Sequence, residues 1–76
     1  MRSRVAAGIL RLYGSEERGD APTLRVTHQE LANLVGSTRE TTTAVLHELR
    51  QQGVIDIANR RLTVVNLVGL RNIAQE

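Results

Sequence analysis

Residues 27–55 read THQELANLVGSTRETTTAVLHELRQQGVI, two stretches of helical periodicity on either side of a single glycine. Thr27 stands three residues before Glu30, the spacing at which each side chain satisfies the other's backbone N–H at a helix start. Leu31, Ala32, Leu34 and Val35 follow at helical intervals as the expected buried side, and Gly36 supplies a residue able to close the helix in a left-handed conformation. Ser37 is the expected cap of the second helix, again with a carboxylate, Glu40, three positions on. In that helix Thr41, Thr42, Val45, Leu46 and Leu49 gather towards one side, while Arg39, Glu40, Thr43 and His47 lie on the other. Two short amphipathic helices joined by so tight a turn have few ways to bury both apolar sides. The pattern is a helix-turn-helix whose second helix packs with one side and presents the other.

The flanks complete a domain around that motif. Val5, Ala6, Ile9, Leu10 and Tyr13 predict a helix over residues 3–13, with Gly8 as a tolerated weak point and Gly14-Ser15 as its end. Residues 16–22 are polar, and Gly19, Asp20 and Pro22 mark a loop. Leu24-Arg25-Val26 suits a brief strand. After Gln51-Gln52-Gly53, the runs Val54-Ile55-Asp56-Ile57 and Arg61-Leu62-Thr63-Val64-Val65, joined by Ala58-Asn59-Arg60, predict a hairpin with Arg60 and Arg61 at its tip. A hairpin placed directly behind a helix-turn-helix is a wing. Leu67, Leu70, Ile73 and Ala74 predict a short terminal helix capped by Asn66. The expected fold is mainly α with a small β component: one winged helix-turn-helix domain over residues 1–76, with a three-helix core, the motif at 27–52, the wing at 54–65 and a short C-terminal helix.

Composition narrows the chemistry. The 76 residues include no cysteine, two histidines and eight carboxylates, so disulfides, thiol catalysis and a metal site are not expected. No base, nucleophile and orienting group are spaced to converge, which argues against an enzyme. Tyr13 is the lone aromatic residue, so the core must be aliphatic and base stacking on aromatic platforms is not expected. The absence of a long apolar run or a signal-like N-terminus leads to the expectation of a cytoplasmic protein without membrane contact. Net charge is only +2, but all ten basic residues are arginine, each a permanent planar fork suited to phosphate and guanine.

The presented side of the second helix carries the two kinds of contact that DNA recognition needs, sequence-blind contacts to phosphate and specific contacts to base edges. Thr38 and Thr41 lie in its first turn, where hydroxyls, exposed N–H groups and the positive end of the helix dipole favour a phosphate oxygen. Arg39 suits O6 and N7 of a guanine, and Glu40 suits the amino group of a cytosine. Glu40 has a second reading as the capping partner of Ser37, and Arg39 a second reading as a solvated helix charge. Thr43 completes the base-contacting set. Thr27, Gln29, Thr38, Thr41, Arg60 and Arg61 make up the phosphate-contacting set. His28 reads as an exposed side chain, with a phosphate contact as its second reading, and His47 as a solvated or backbone-facing residue and not a ligand.

THQELANLVGSTRET and the following VLHELRQQGVI resemble the C-terminal domain of the catabolite activator (Crp/Fnr) family of bacterial transcription regulators, and the likeness runs from about Arg4 to Val65. The resemblance implies that Arg39 and Glu40 read bases, that Thr27, Gln29, Thr38 and Thr41 touch phosphate, and that Arg60 is the basic wing position. It also implies that the 16–23 loop is where such activators touch RNA polymerase. The chain would then be part of a homodimeric regulator, a fragment without the N-terminal effector-sensing domain and dimerisation helix, with any effector ligand bound outside these residues. Many members carry a second basic reader where this chain has Ala44. The expected function is sequence-specific binding of double-stranded DNA in transcription regulation. The alternative from another class is a winged-helix protein-protein interaction module.

Overall fold

A computed structural model describes residues 1–15 and 23–76, so the expected 16–22 loop lies outside the described residues, as does all but Thr23 of the 16–23 segment for which a polymerase contact is implied. Four helices and three strands follow in the order α1 (Arg2–Ser15), β1 (Thr23–Leu24), α2 (His28–Val35), α3 (Arg39–Gln51), β2 (Ile55–Ala58), β3 (Arg61–Val64) and α4 (Leu67–Ala74). The strands form one antiparallel sheet in the order β1-β3-β2, so the hairpin is extended by the brief strand that precedes the helix-turn-helix. The fold is a winged helix-turn-helix, mainly α with a small sheet, as expected.

The core is aliphatic. Val5, Ala6 and Ile9 of α1, Leu31 and Val35 of α2, Val45, Leu46 and Leu49 of α3, Leu24, Ile55, Leu62 and Val64 of the sheet, and Leu70 and Ile73 of α4 form one buried cluster. Burying aliphatic side chains of this kind contributes about 1.5–3 kcal/mol each, so a single continuous cluster is what lets so short a chain hold its shape. Register follows from it: Leu62 pairs with Leu24 on one side and Ile57 on the other, keeping its side chain under the sheet. The Val54 carbonyl accepts from the N–H groups of Val65 and Asn66, tying the hairpin base to α4, whose first turn is capped by the Asn66 side chain.

Three local expectations are corrected. Leu34, placed on the buried side of α2, is 38% exposed, because this two-turn helix packs through Leu31, Ala32 and Val35 and leaves Leu34 at the rim. Thr41, placed with the packed side of α3, is exposed, while Thr42 beside it is 0% exposed. Gly8, expected to be merely tolerated, sits where α1 meets α2: a Cβ there would lie 2.6 Å from Val35 Cγ1.

Thr42 Oγ1 is buried and has no hydrogen-bond partner among the described residues. A buried hydroxyl left unpaired costs about 1–3 kcal/mol relative to one that is satisfied. Thr42→Val keeps the shape and removes the polar atom. It is expected to stabilise the domain by about 1 kcal/mol, read as a higher denaturant midpoint at unchanged slope. A lower midpoint would show that the hydroxyl is paired in solution.

Candidate nucleic-acid interface

The two helices of the motif are set by neighbouring caps. Thr27 Oγ1 accepts from the Glu30 N–H at 3.0 Å and Glu30 Oε1 accepts from the Thr27 N–H at 2.9 Å, the reciprocal box expected from their spacing. Gly36, at φ 72°, ends α2, and the Ser37 N–H closes it by donating to the Ala32 carbonyl at 2.9 Å. Ser37 is thereby committed to the helix behind it. The cap of α3 is Thr38, whose Oγ1 accepts from the Thr41 N–H at 3.1 Å. This corrects the expected Ser37 cap and moves the helix start by one residue. Glu40 then falls one position short of capping-box register, so of its two readings the capping one is removed.

Arg39, Glu40, Thr43 and Ala44 share one depression of about 410 Å³ on the exposed side of α3. Neither the Arg39 nor the Glu40 side chain has a hydrogen-bond or ion-pair partner among the described residues. Both are therefore open to an external ligand. Ala44 leaves the C-terminal side of this depression without a polar group. His47, one turn further on, is exposed, whereas Glu48 turns away to Arg2 at 3.2 Å. Arg2 also meets Glu76 at 2.8 Å. Hydrogen bonds to Glu76 first and Glu48 second raise its pKa further, so this link between α1 and α3 keeps its charge.

At the start of α3 the Thr38 hydroxyl donates to Thr41 Oγ1 at 3.0 Å, which leaves the Thr41 hydroxyl proton uncommitted at the positive end of the helix. Beside it opens a larger groove, about 700 Å³, between the start of α2, the start of α3 and the hairpin. Leu31, Leu46, Ile57 and Leu62 line it with apolar surface. Thr27, His28, Gln29, Arg39, Arg60 and Arg61 supply its polar groups, and no carboxylate lines it among the described residues. Four of the six residues expected to touch phosphate, Thr27, Gln29, Arg60 and Arg61, thus converge with Arg39 on one cationic groove. Thr38 and Thr41 stand at the adjoining helix start. The Gln29 side-chain amide is partly engaged, donating to Asn33 Oδ1 at 3.0 Å.

The hairpin tip is tighter than expected. Ala58 pairs with Arg61, so the loop is the two residues Asn59 and Arg60, at φ 53° and 63°. Positive φ at both central residues is the geometry of a type I′ turn, which matches the twist of the flanking strands and favours Asn followed by Gly. Arg60 occupies the glycine position, a conformation that costs a residue with a Cβ about 1–2 kcal/mol. One contact was not visible in the sequence: His28 Nδ1 lies 2.8 Å from Thr43 Oγ1, joining α2 to the presented side of α3.

Comparison with known proteins places this geometry. The Crp-like helix-turn-helix domain matches residues 3–73. The chain belongs to the Crp-like helix-turn-helix family. Relatives include the transcriptional regulator SdrP of Thermus thermophilus, 38% identical over 79 residues, covering 99% of this chain and 39% of the relative. The cyclic AMP receptor protein of the same organism is 37% identical over 73 residues, covering 96% of this chain and 32% of the relative. Among solved structures, a CRP/FNR-family transcriptional regulator, also from Thermus thermophilus, superposes with a TM-score of 0.90 at 35% identity, covering 100% of this chain and 41% of that one. These Crp-like relatives are transcription regulators, and the chain spans well under half of their length. No helix among the described residues is long and apolar enough to cross a membrane.

Proposed function

We propose that this Crp-like domain binds double-stranded DNA sequence-specifically, with α3 in the major groove and the hairpin against the backbone. The observation that carries this reading is the placement of Arg39 and Glu40, unpartnered among the described residues, beside a groove whose charged groups there are all cationic. A carboxylate aimed at polyphosphate is repelled unless it accepts from a base, so Glu40 belongs to a reader of sequence rather than a purely electrostatic binder. Arg39, Glu40 and Thr43 meet base edges. Thr27, Gln29, Thr38, Thr41, Arg60 and Arg61 meet phosphate. The protein-docking alternative finds little support on the presented side of α3, which is polar apart from Ala44.

A dimeric regulator would place two such domains on half-sites about one helical turn apart. A covalently linked pair of chains is expected to bind a two-fold symmetric duplex, selected from random sequence, on the order of a hundredfold more tightly than one chain. Affinity should fall steeply with salt in fluorescence anisotropy. Absence of binding by the linked pair at any salt would overturn the proposal in favour of a protein partner.

The strained hairpin tip separates stability from binding. Arg60→Gly relieves the left-handed conformation and is expected to stabilise the fold by about 1 kcal/mol, the relief being partly offset by the greater freedom of the unfolded chain. The same change should weaken binding to selected and random duplex alike and reduce the salt slope by about one. Unchanged affinity on both would remove Arg60 from the interface.

A further inference from the structure

The bond between His28 and Thr43 joins a titratable ring to a hydroxyl that lies beside Arg39 and Glu40. A threonine hydroxyl has one proton and two lone pairs, and which of these it turns outward depends on what its inner partner takes. When His28 is neutral and Nδ1 accepts, the Thr43 proton is spent on the ring and the hydroxyl offers lone pairs to a ligand. When His28 is protonated, both ring nitrogens are donors. Nδ1–H then occupies an oxygen lone pair, and the Thr43 proton is released outward.

We propose that His28 and Thr43 form a specificity-determining pair in which the charge of His28 sets whether Thr43 can only accept from a base or can also donate to one. The inference rests on the DNA-reading function proposed above and deepens it. With Nδ1 turned to Thr43, Nε2 is the ring nitrogen left for solvent or phosphate. A phosphate oxygen there selects the Nε2–H tautomer, which makes Nδ1 an acceptor whenever the ring is neutral. DNA binding and the acceptor state of Thr43 therefore support one another. The charged groups that line the same groove as His28 are Arg39 from α3 and Arg60 and Arg61 from the hairpin. On its own helix Glu30 is held by the Thr27 N–H, and Glu40 stands across the presented side of α3. Acidification in the bound state is what switches the hydroxyl.

The consequence is a choice between two pyrimidines. Cytosine presents an amino donor in the major groove where thymine or uracil presents the O4 acceptor. Neutral His28 makes Thr43 a partner for cytosine alone, and charged His28 lets it serve uracil as well. Deoxyuridine is the cleaner comparison because it lacks the thymine methyl group, which the Thr43 methyl would also touch.

The test uses the linked pair of chains and its selected duplex, with each base pair of a half-site replaced in turn to give matched cytosine and deoxyuridine versions, at about pH 8 and about pH 5.5. At one position the cytosine-to-uracil affinity ratio is expected to fall on acidification by roughly fivefold to tenfold, the worth of one hydrogen bond. Thr43→Val and His28→Gln should each make that ratio independent of pH. A pH-independent ratio at every position in the unmodified protein, with selected duplex still preferred over random, overturns the proposal and leaves the DNA-reading function standing. So does a pH-dependent ratio that survives Thr43→Val. Loss of all preference between selected and random duplex overturns both. A separate reading needs no DNA: the His28 Nδ1 resonance in an imidazole ¹⁵N spectrum should move on Thr43→Val, and a resonance that stays put shows that the pair does not form.

Discussion

Replacing Arg39 by alanine is expected to cost about 1–3 kcal/mol of binding free energy on a selected duplex and little on random duplex. The asymmetry follows from position. Arg39 stands first in α3, exposed, without a partner among the described residues, and on the boundary between the presented depression and the cationic groove. A guanidinium there can make two parallel hydrogen bonds to O6 and N7 of a guanine, an interaction that exists only in the right sequence. Its charge alone would be worth the same on every duplex. Titrations of the linked pair of chains on both duplexes separate the two contributions. Equal losses on selected and random DNA would sink the base-reading role and make Arg39 another phosphate contact. Glu40→Ala provides the complementary control: removing a carboxylate facing polyphosphate should raise affinity for random duplex while relaxing sequence preference.

The parts of this interface that were legible in the sequence are those decided within one turn of chain. Thr27 and Glu30 carry their own capping geometry, Gly36 its own left-handed conformation, and Asn66 its own cap, so each could be placed without knowing what packs against it. Spacing alone points to the wrong cap for α3, and the reason is physical. Ser37 and Thr38 are both good caps, and Ser37 has the better-looking partner in Glu40, but the Ser37 N–H is already used to close α2. Competition between two helix ends for one residue is invisible to a rule that treats each end alone. The choice of Thr38 matters for function, since it takes Glu40 out of the capping box and leaves its carboxylate available.

Contacts between elements were not legible. Nothing in the spacing of His28 and Thr43 announces a hydrogen bond, because it depends on the angle at which α2 and α3 cross. Thr41 and Thr42 are adjacent threonines near the edge of an apolar stripe, and only the packing of α3 decides which one is buried. The hairpin was visible from its β-branched runs, yet its two-residue loop and the strain at Arg60 required the pairing of Ala58 with Arg61.

Gly8→Ala should be among the most damaging small substitutions in the chain, although helix propensity alone favours it. In an isolated helix, alanine in place of glycine stabilises by about 1 kcal/mol. Here the added Cβ would lie 2.6 Å from Val35 Cγ1, 3.5 Å from Leu31 Cδ1 and 3.6 Å from Leu34 Cδ2. The first distance is far inside contact, and valine in a helix is confined to one favoured rotamer, so the clash cannot be relieved by swinging a flexible tip. Relief must come from moving α2 away from α1, and overpacking of this kind costs about 1–3 kcal/mol, enough to outweigh the gain in propensity. In a domain this small each kcal/mol lowers the melting midpoint by roughly 4–8 °C. The damage should also be specific to one partner: in a Val35→Ala background the clashing methyl is gone, and Gly8→Ala should cost less by about 1 kcal/mol or more in a double-mutant cycle. Because α2 carries Thr27, His28 and Gln29 into the cationic groove, the single variant should lose duplex affinity as well, and the Val35→Ala background should restore part of it. A Gly8→Ala protein more stable than the parent would mean that α1 and α2 do not approach this closely.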